Sequence, residues 1–163
     1  MTRWLTDEER VAWVRLVAVL ELLPGILDTQ LRRDSRLTHF EYFVLAMLSE
    51  TPGRALRMTS LAARTSATLP RLSHVVRRLE ERGLVRRRPC PEDGRATEAQ
   101  LTDAGWDAVV DAAPGHVDTV RRQVIDALDG DQVRQLAEVA GAILARIDPD
   151  GVVLSPQRDP AGG

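Results

Sequence analysis

Apolar positions follow a helical period over most of the chain. From Trp13 they recur through Leu16, Val17, Leu20, Leu23 and Leu27, three or four residues apart. Thr6-x-x-Glu9 ahead of them is a capping-box pattern and predicts a helix start. Pro24 and Gly25 predict a kink or break in this first helix, because proline removes a backbone donor and crowds the preceding turn. Arg32, Arg33 and Arg36 follow near its end, where cations suit the helix dipole. A second capping box, Thr38-x-x-Glu41, opens a shorter apolar helix with Phe40, Phe43, Val44, Met47 and Leu48, ended by Pro52 and Gly53.

The middle of the chain changes rhythm. A short helix is expected over about 60–64, capped by Thr59, and another over about 69–82, with Gly83 as its stop. Two short helices joined by a tight turn make a helix-turn-helix unit. Leu84 to Arg88 then reads as a strand, Asp93-Gly94 as a turn and Ala96 to Leu101 as the returning strand. Thr102 and Asp103 start a further helical region that Pro114 and Gly115 are expected to interrupt, and a last helix is predicted over about 131–147. The expected fold is mainly α with a small β-hairpin wing, an α+β winged helix. Its expected divisions are an N-terminal helix (1–36), a winged helix-turn-helix lobe (37–101), C-terminal helices (102–147) and a mobile tail (148–163).

Charge sharpens this picture. Residues 54–95 hold eleven arginines and four acids, a local balance of +7; the whole chain totals −2, so the remainder carries −9. A basic segment inside an acidic protein favours a polyanion at one surface. All basic residues are arginine. No run approaches the ~18 apolar residues of a membrane span, and the N-terminus lacks the basic region of a secretory signal, so a cytoplasmic protein without membrane contact is expected. No nucleophile–base pairing, phosphate loop or cofactor motif is readable, which argues against an enzyme.

On the 69–82 helix, Leu69, Leu72, Val75, Val76 and Leu79 gather on one face and leave a polar, arginine-rich face outside. A helix of that width fits the DNA major groove. Arg71, Ser73 and His74 are the candidates near base edges, Arg71 because arginine bonds guanine through two donors at once, with Thr68 and Pro70 as further candidate DNA contacts. Arg77 and Arg78 are candidate phosphate contacts or partners of Glu80 and Glu81. In the hairpin, alternation puts Arg86 and Arg88 on one face and Arg87 on the other. Arg86 and Arg88 are taken as DNA contacts, and Arg95 as the cation entering the narrow minor groove. Asp93 either orients a wing arginine by a charge-assisted bond or simply forms an Asp-Gly turn.

These residues carry a resemblance. Leu61-Ala62-Ala63 through Ser73, the run Arg78-Leu79-Glu80-Glu81-Arg82-Gly83-Leu84-Val85-Arg86, Asp93-Gly94-Arg95-Ala96 and Leu101-Thr102 are similar to the MarR family of winged-helix transcription regulators. Leu37-Thr38-x-x-Glu41-Tyr42-x-x-Leu45 and Ala113-Pro114-x-His116 also fit. The resemblance implies a homodimer joined through its terminal helices. It also implies a pseudo-palindromic operator on double-stranded DNA and repression relieved by a small ligand or an oxidant. It points to Trp13, Arg15, Leu16, His39 and Phe43 as a candidate effector cleft, residues that equally suit a core. Cys90, in the wing beside Pro89 and Pro91, is a candidate redox residue; an incidental exposed thiol is the simpler expectation. His39, His74 and His116 are far apart and lack metal-ligand spacing, so no metal is assigned. A sequence-nonspecific architectural DNA binder is the competing reading.

Overall fold

The computed structural model describes residues 1–153. Helix α1 spans Asp7–Ser35, α2 His39–Ser49, α3 Met58–Arg64, α4 Leu69–Glu81, α5 Asp103–Gln123 and α6 Gly130–Ile147. Strands β1 (Ala55–Arg57), β2 (Val85–Cys90) and β3 (Asp93–Leu101) form an antiparallel sheet in the order β1-β3-β2. The core lies where α2, α3, α4, the sheet and the flank of α5 meet. Leu45, Leu48, Leu61, Leu72, Val76 and Leu79 are sealed there.

Local signals place the helix starts. Thr6 with Glu9, Thr38 with Glu41 and Asp129 with Gln132 each form a complete capping box. Neither proline ends its helix, so a break at Pro24 and an interruption at Pro114 are corrected. Pro24 lies inside a continuous α1 and Pro114 inside a continuous α5. An interior proline costs about 3 kcal/mol, but these helices pack along each other and keep the rest of their ladders. In both, the glycine after the proline accepts a bond from a threonine one turn on, Thr29 Oγ1 to Gly25 O at 2.8 Å and Thr119 Oγ1 to Gly115 O at 2.9 Å.

Other expectations shift by a few residues. α3 begins at Met58 without a side-chain cap, so Thr59 is inside it and not its cap. The hairpin is longer than predicted, and β1 was not predicted at all; its three residues pair with Glu98–Gln100 of β3. Leu69, expected on the buried face of α4, is 45% exposed. The tail expected to be mobile begins as a turn: Asp148 accepts bonds from the Val152 and Val153 N–H groups at 3.1 and 2.9 Å. Its remainder, 154–163, lies outside the described residues.

The wing is held at its root by close packing. Thr102 caps α5, accepting from the Gly105 N–H at 3.0 Å, and its hydroxyl donates to Gly83 O at 2.7 Å. The Thr102 N–H donates to Leu84 O at 3.1 Å. A Cβ on Gly105 would overlap the Leu84 carbonyl and lie 2.6 Å from Leu101 Cδ1. A second tether joins α4 to β2. Glu80 accepts from the Arg87 N–H at 2.9 Å and from Arg87 Nε at 3.0 Å. These bonds, the backbone one foremost, hold the Glu80 carboxyl below its ordinary value against a desolvation that would raise it.

Gly105→Ala is expected to destabilise the fold by about 1–3 kcal/mol through overpacking against backbone, measured by chemical denaturation at fixed protein concentration. Because the Glu80 pKa is depressed on folding, its contribution is present above its ordinary value and is lost as pH falls through the folded one. Glu80→Gln should therefore cost no more than about 1 kcal/mol at neutral pH. The difference from wild type should shrink in acid, in a stability titration of both proteins.

Candidate nucleic-acid interface

α4 and the wing enclose a cleft of about 350 Å³. Leu69 and Ser73 line it from the helix, and Arg87, Arg95 and Thr97 from the hairpin. α4 reaches it with an intact N-terminus. The Thr68 hydroxyl accepts from the Arg71 N–H at 3.4 Å, and Pro70 sits in the first turn, where its missing donor costs nothing. The sealed stripe of α4 is Leu72, Val76 and Leu79. Pro70, Arg71, His74 and Arg77 are exposed around the rest of the helix.

The expected contact residues divide according to their partners. Arg77 Nη2 lies 3.1 Å from His74 Nδ1, and Arg77 Nε lies 4.0 Å from Glu81. Arg78 is 3.3 Å from the buried Glu41, an acid on α2 and neither of the two expected partners. Glu80 is taken by Arg87. Arg71 rests over the Phe40 ring, its guanidinium carbon 4.3 Å from the centroid. Arg86 Nε donates to Gln100 Oε1 at 2.8 Å, and Arg88 pairs with Glu98, which is 8% exposed. Asp93 accepts from the backbone N–H of Arg95 at 3.1 Å, which is the plain turn and not a hold on a guanidinium.

Arg87 and Arg57 are the cations that sequence reasoning missed beside this cleft. Alternation already separated Arg87 from Arg86 and Arg88. Which face looks toward α4 depends on the pairing of β3 with β1 and β2, and that is tertiary information.

The basic segment is less free than its composition suggests. Arg54, Arg57, Arg77, Arg78, Arg82, Arg87 and Arg88 all have acidic partners. Among the described residues, Arg64, Arg71, Arg86 and Arg95 of this segment have none. Of these, Arg95 lines the cleft from the hairpin, while Arg71 lies over Phe40 on another side of α4.

The candidate effector residues do not form one cleft within a single chain. Trp13 is 55% exposed on the first half of α1. It lies about 22 Å along the helix from Asp28, whose carboxylate accepts the His39 N–H. Arg15 and Leu16 are exposed near Trp13, while His39 and Phe43 are half-buried on α2. His39 and His116, far apart in sequence, are brought together: their rings stack at 6.3 Å, with Tyr42 at 4.7 Å from His116. Burial lowers the pKa of both histidines. Cys90 is not an exposed thiol; it is 5% exposed at the end of β2. Among the described residues no helix is long and apolar enough to cross a membrane.

A sequence model of the MarR family matches residues 37–97, the span from the start of α2 to the wing. A MarR family transcriptional regulator from Streptomyces coelicolor, solved in complex with DNA, is 42% identical with a TM-score of 0.87, over 96% of this chain and 97% of that one. AbsC, a MarR family transcriptional regulator from the same organism, is 38% identical with a TM-score of 0.85, over 91% of this chain and 99% of its own. CouR from Rhodococcus jostii, solved bound to p-coumaroyl-CoA, shares the fold at 22% identity and a TM-score of 0.72, over 91% of this chain and 97% of that one. With a helix-turn-helix, a basic wing and a likeness that runs almost end to end, the chain belongs to the MarR family of transcriptional regulators.

Proposed function

We propose that this regulator is a homodimeric repressor that reads a pseudo-palindromic operator and is released by a small ligand. The observation that carries the reading is the cleft between α4 and the wing, lined by Arg57, Arg87 and Arg95, in a chain 42% identical to a regulator solved on DNA. In this reading α4 enters the major groove. Arg71, Ser73 and His74 approach base edges beside Thr68 and Pro70, and Arg77 and Arg86 serve phosphates, while Arg78 and Arg88 are held by Glu41 and Glu98. Arg95 enters the minor groove from a turn shaped by Asp93.

Exposed apolar side chains support the homodimer. Val14, Val19 and Leu20 on α1 and Leu136, Val139 and Ile143 on α6 are uncovered, and no residue of α6 is buried. Apolar faces of this extent mark an association surface. Two-fold pairing through the terminal helices suits two half-sites. The effector reading draws Trp13, Arg15 and Leu16 from one copy toward His39 and Phe43 of the other, since one chain keeps them apart. CouR supports it only as an instance of the fold with a ligand bound.

Footprinting on the DNA flanking the coding region, with random duplex as competitor, tests the reading; protection without two-fold symmetry, or equal competition by random DNA, counts against it. Arg95→Ala is expected to weaken selected and random duplexes alike and to reduce the salt slope by about 1. His74→Ala should alter preference at one base pair, by about 1–3 kcal/mol. Sedimentation should give a dimer that Val139→Glu converts to monomer; a monomeric wild type would overturn the assembly.

A further inference from the structure

The first turn of α2 reaches the recognition helix through two consecutive side chains. Phe40 lies beneath Arg71, and Glu41, 2% exposed, lies 3.3 Å from Arg78 Nη2 and 3.8 Å from Arg82 Nη1. Arg71 and Arg78 of α4 and Arg82 at its C-cap are separated by two turns and one turn, so they form a single stripe. That stripe is distinct from the sealed Leu72, Val76 and Leu79. α4 is therefore seated by its apolar side in the core and by three arginines on the first turn of α2.

That turn is itself anchored. Glu41 Oε2 accepts from the Thr38 N–H at 2.8 Å, and the Thr38 hydroxyl accepts from the Glu41 N–H at 3.0 Å. The next backbone donor, His39 N–H, is held by Asp28 of α1 at 2.9 Å. Glu41 Oε1 forms no hydrogen bond of good geometry, so its hold on Arg78 is that of charge.

We propose that Phe40 and Glu41 are positioning residues for DNA reading: they hold three arginines of the recognition helix and so set its discrimination between sequences. The inference rests on the reading of α4 as the DNA-reading helix. Phe40 restricts the Arg71 side chain before DNA arrives, so less rotamer freedom is lost when it bonds a base. Glu41 withdraws Arg78 and Arg82 from the cations available to phosphate. Phosphate contact is indifferent to sequence, so withdrawing it lowers random binding and raises the ratio of specific to random affinity.

The test uses the full chain. Wild-type protein selects from a pool of random-sequence duplexes, and the selected duplex and the unselected pool become the two probes. Glu41→Gln keeps an oxygen for the Thr38 N–H, so the cap survives. Its affinity for the unselected pool should rise roughly threefold or more, with the salt slope steeper by about one per arginine released. Phe40→Leu should lower the selected-to-unselected ratio about two- to fivefold, and Phe40→Tyr should retain the wild-type ratio. Equal weakening on both probes with an unchanged slope and a lowered Tm would mean a structural role only and overturn the proposal. So would variants that match wild type in ratio and slope. A wild type that selects no consensus brings down the functional reading itself, and this inference with it.

Discussion

The end of α4, both roots of the wing and the start of α5 meet at one crossing, and the geometry of the interface depends on it. Thr102 reaches Gly83 and Leu84 with its hydroxyl and its N–H, and caps α5 with the same hydroxyl. Gly105 lets that helix approach until a single methyl group would not fit. Gly83, at φ +71, supplies the left-handed turn that ends α4 there. α4, the hairpin and the long α5 thus share one close-packed joint.

Electrostatics act on top of that frame. The net excess of +7 is real, yet seven of the eleven arginines behind it have acidic partners. Arg88 is paired with a nearly buried Glu98, Arg87 with Glu80, and Arg78 and Arg82 share one carboxylate on α2. Such partly buried pairs hold geometry more than they add stability, because desolvation offsets much of the attraction. Among the described residues, those of the eleven left without an acidic partner are few: Arg64, Arg71 over the Phe40 ring, Arg86, and Arg95 at the cleft.

Features carried by neighbouring residues were legible in the sequence. Thr6 with Glu9, Thr38 with Glu41 and the Asp93-Gly94 turn state their own geometry, and the stripe of Leu72, Val76 and Leu79 states which side of α4 is sealed. Features that depend on distant partners were not. Strand β1 has three residues and exists because β3 offers an edge to pair with. Pro24 and Pro114 read as breaks in isolation, but packing between α1 and α5 carries both helices through. Glu41 looked complete as a capping residue, and nothing nearby announced its second task with Arg78 and Arg82. Arg71, singled out for its chemistry, gave no sign that Phe40 would lie beneath it.

The internal pairing of the arginines also bears on how such a protein finds a site among a genome of competitors. Random duplex holds a protein through its uncommitted cations, and the time spent at each wrong position grows steeply with their number. A lobe in which seven of eleven arginines have acidic partners offers random duplex fewer uncommitted cations than its composition suggests.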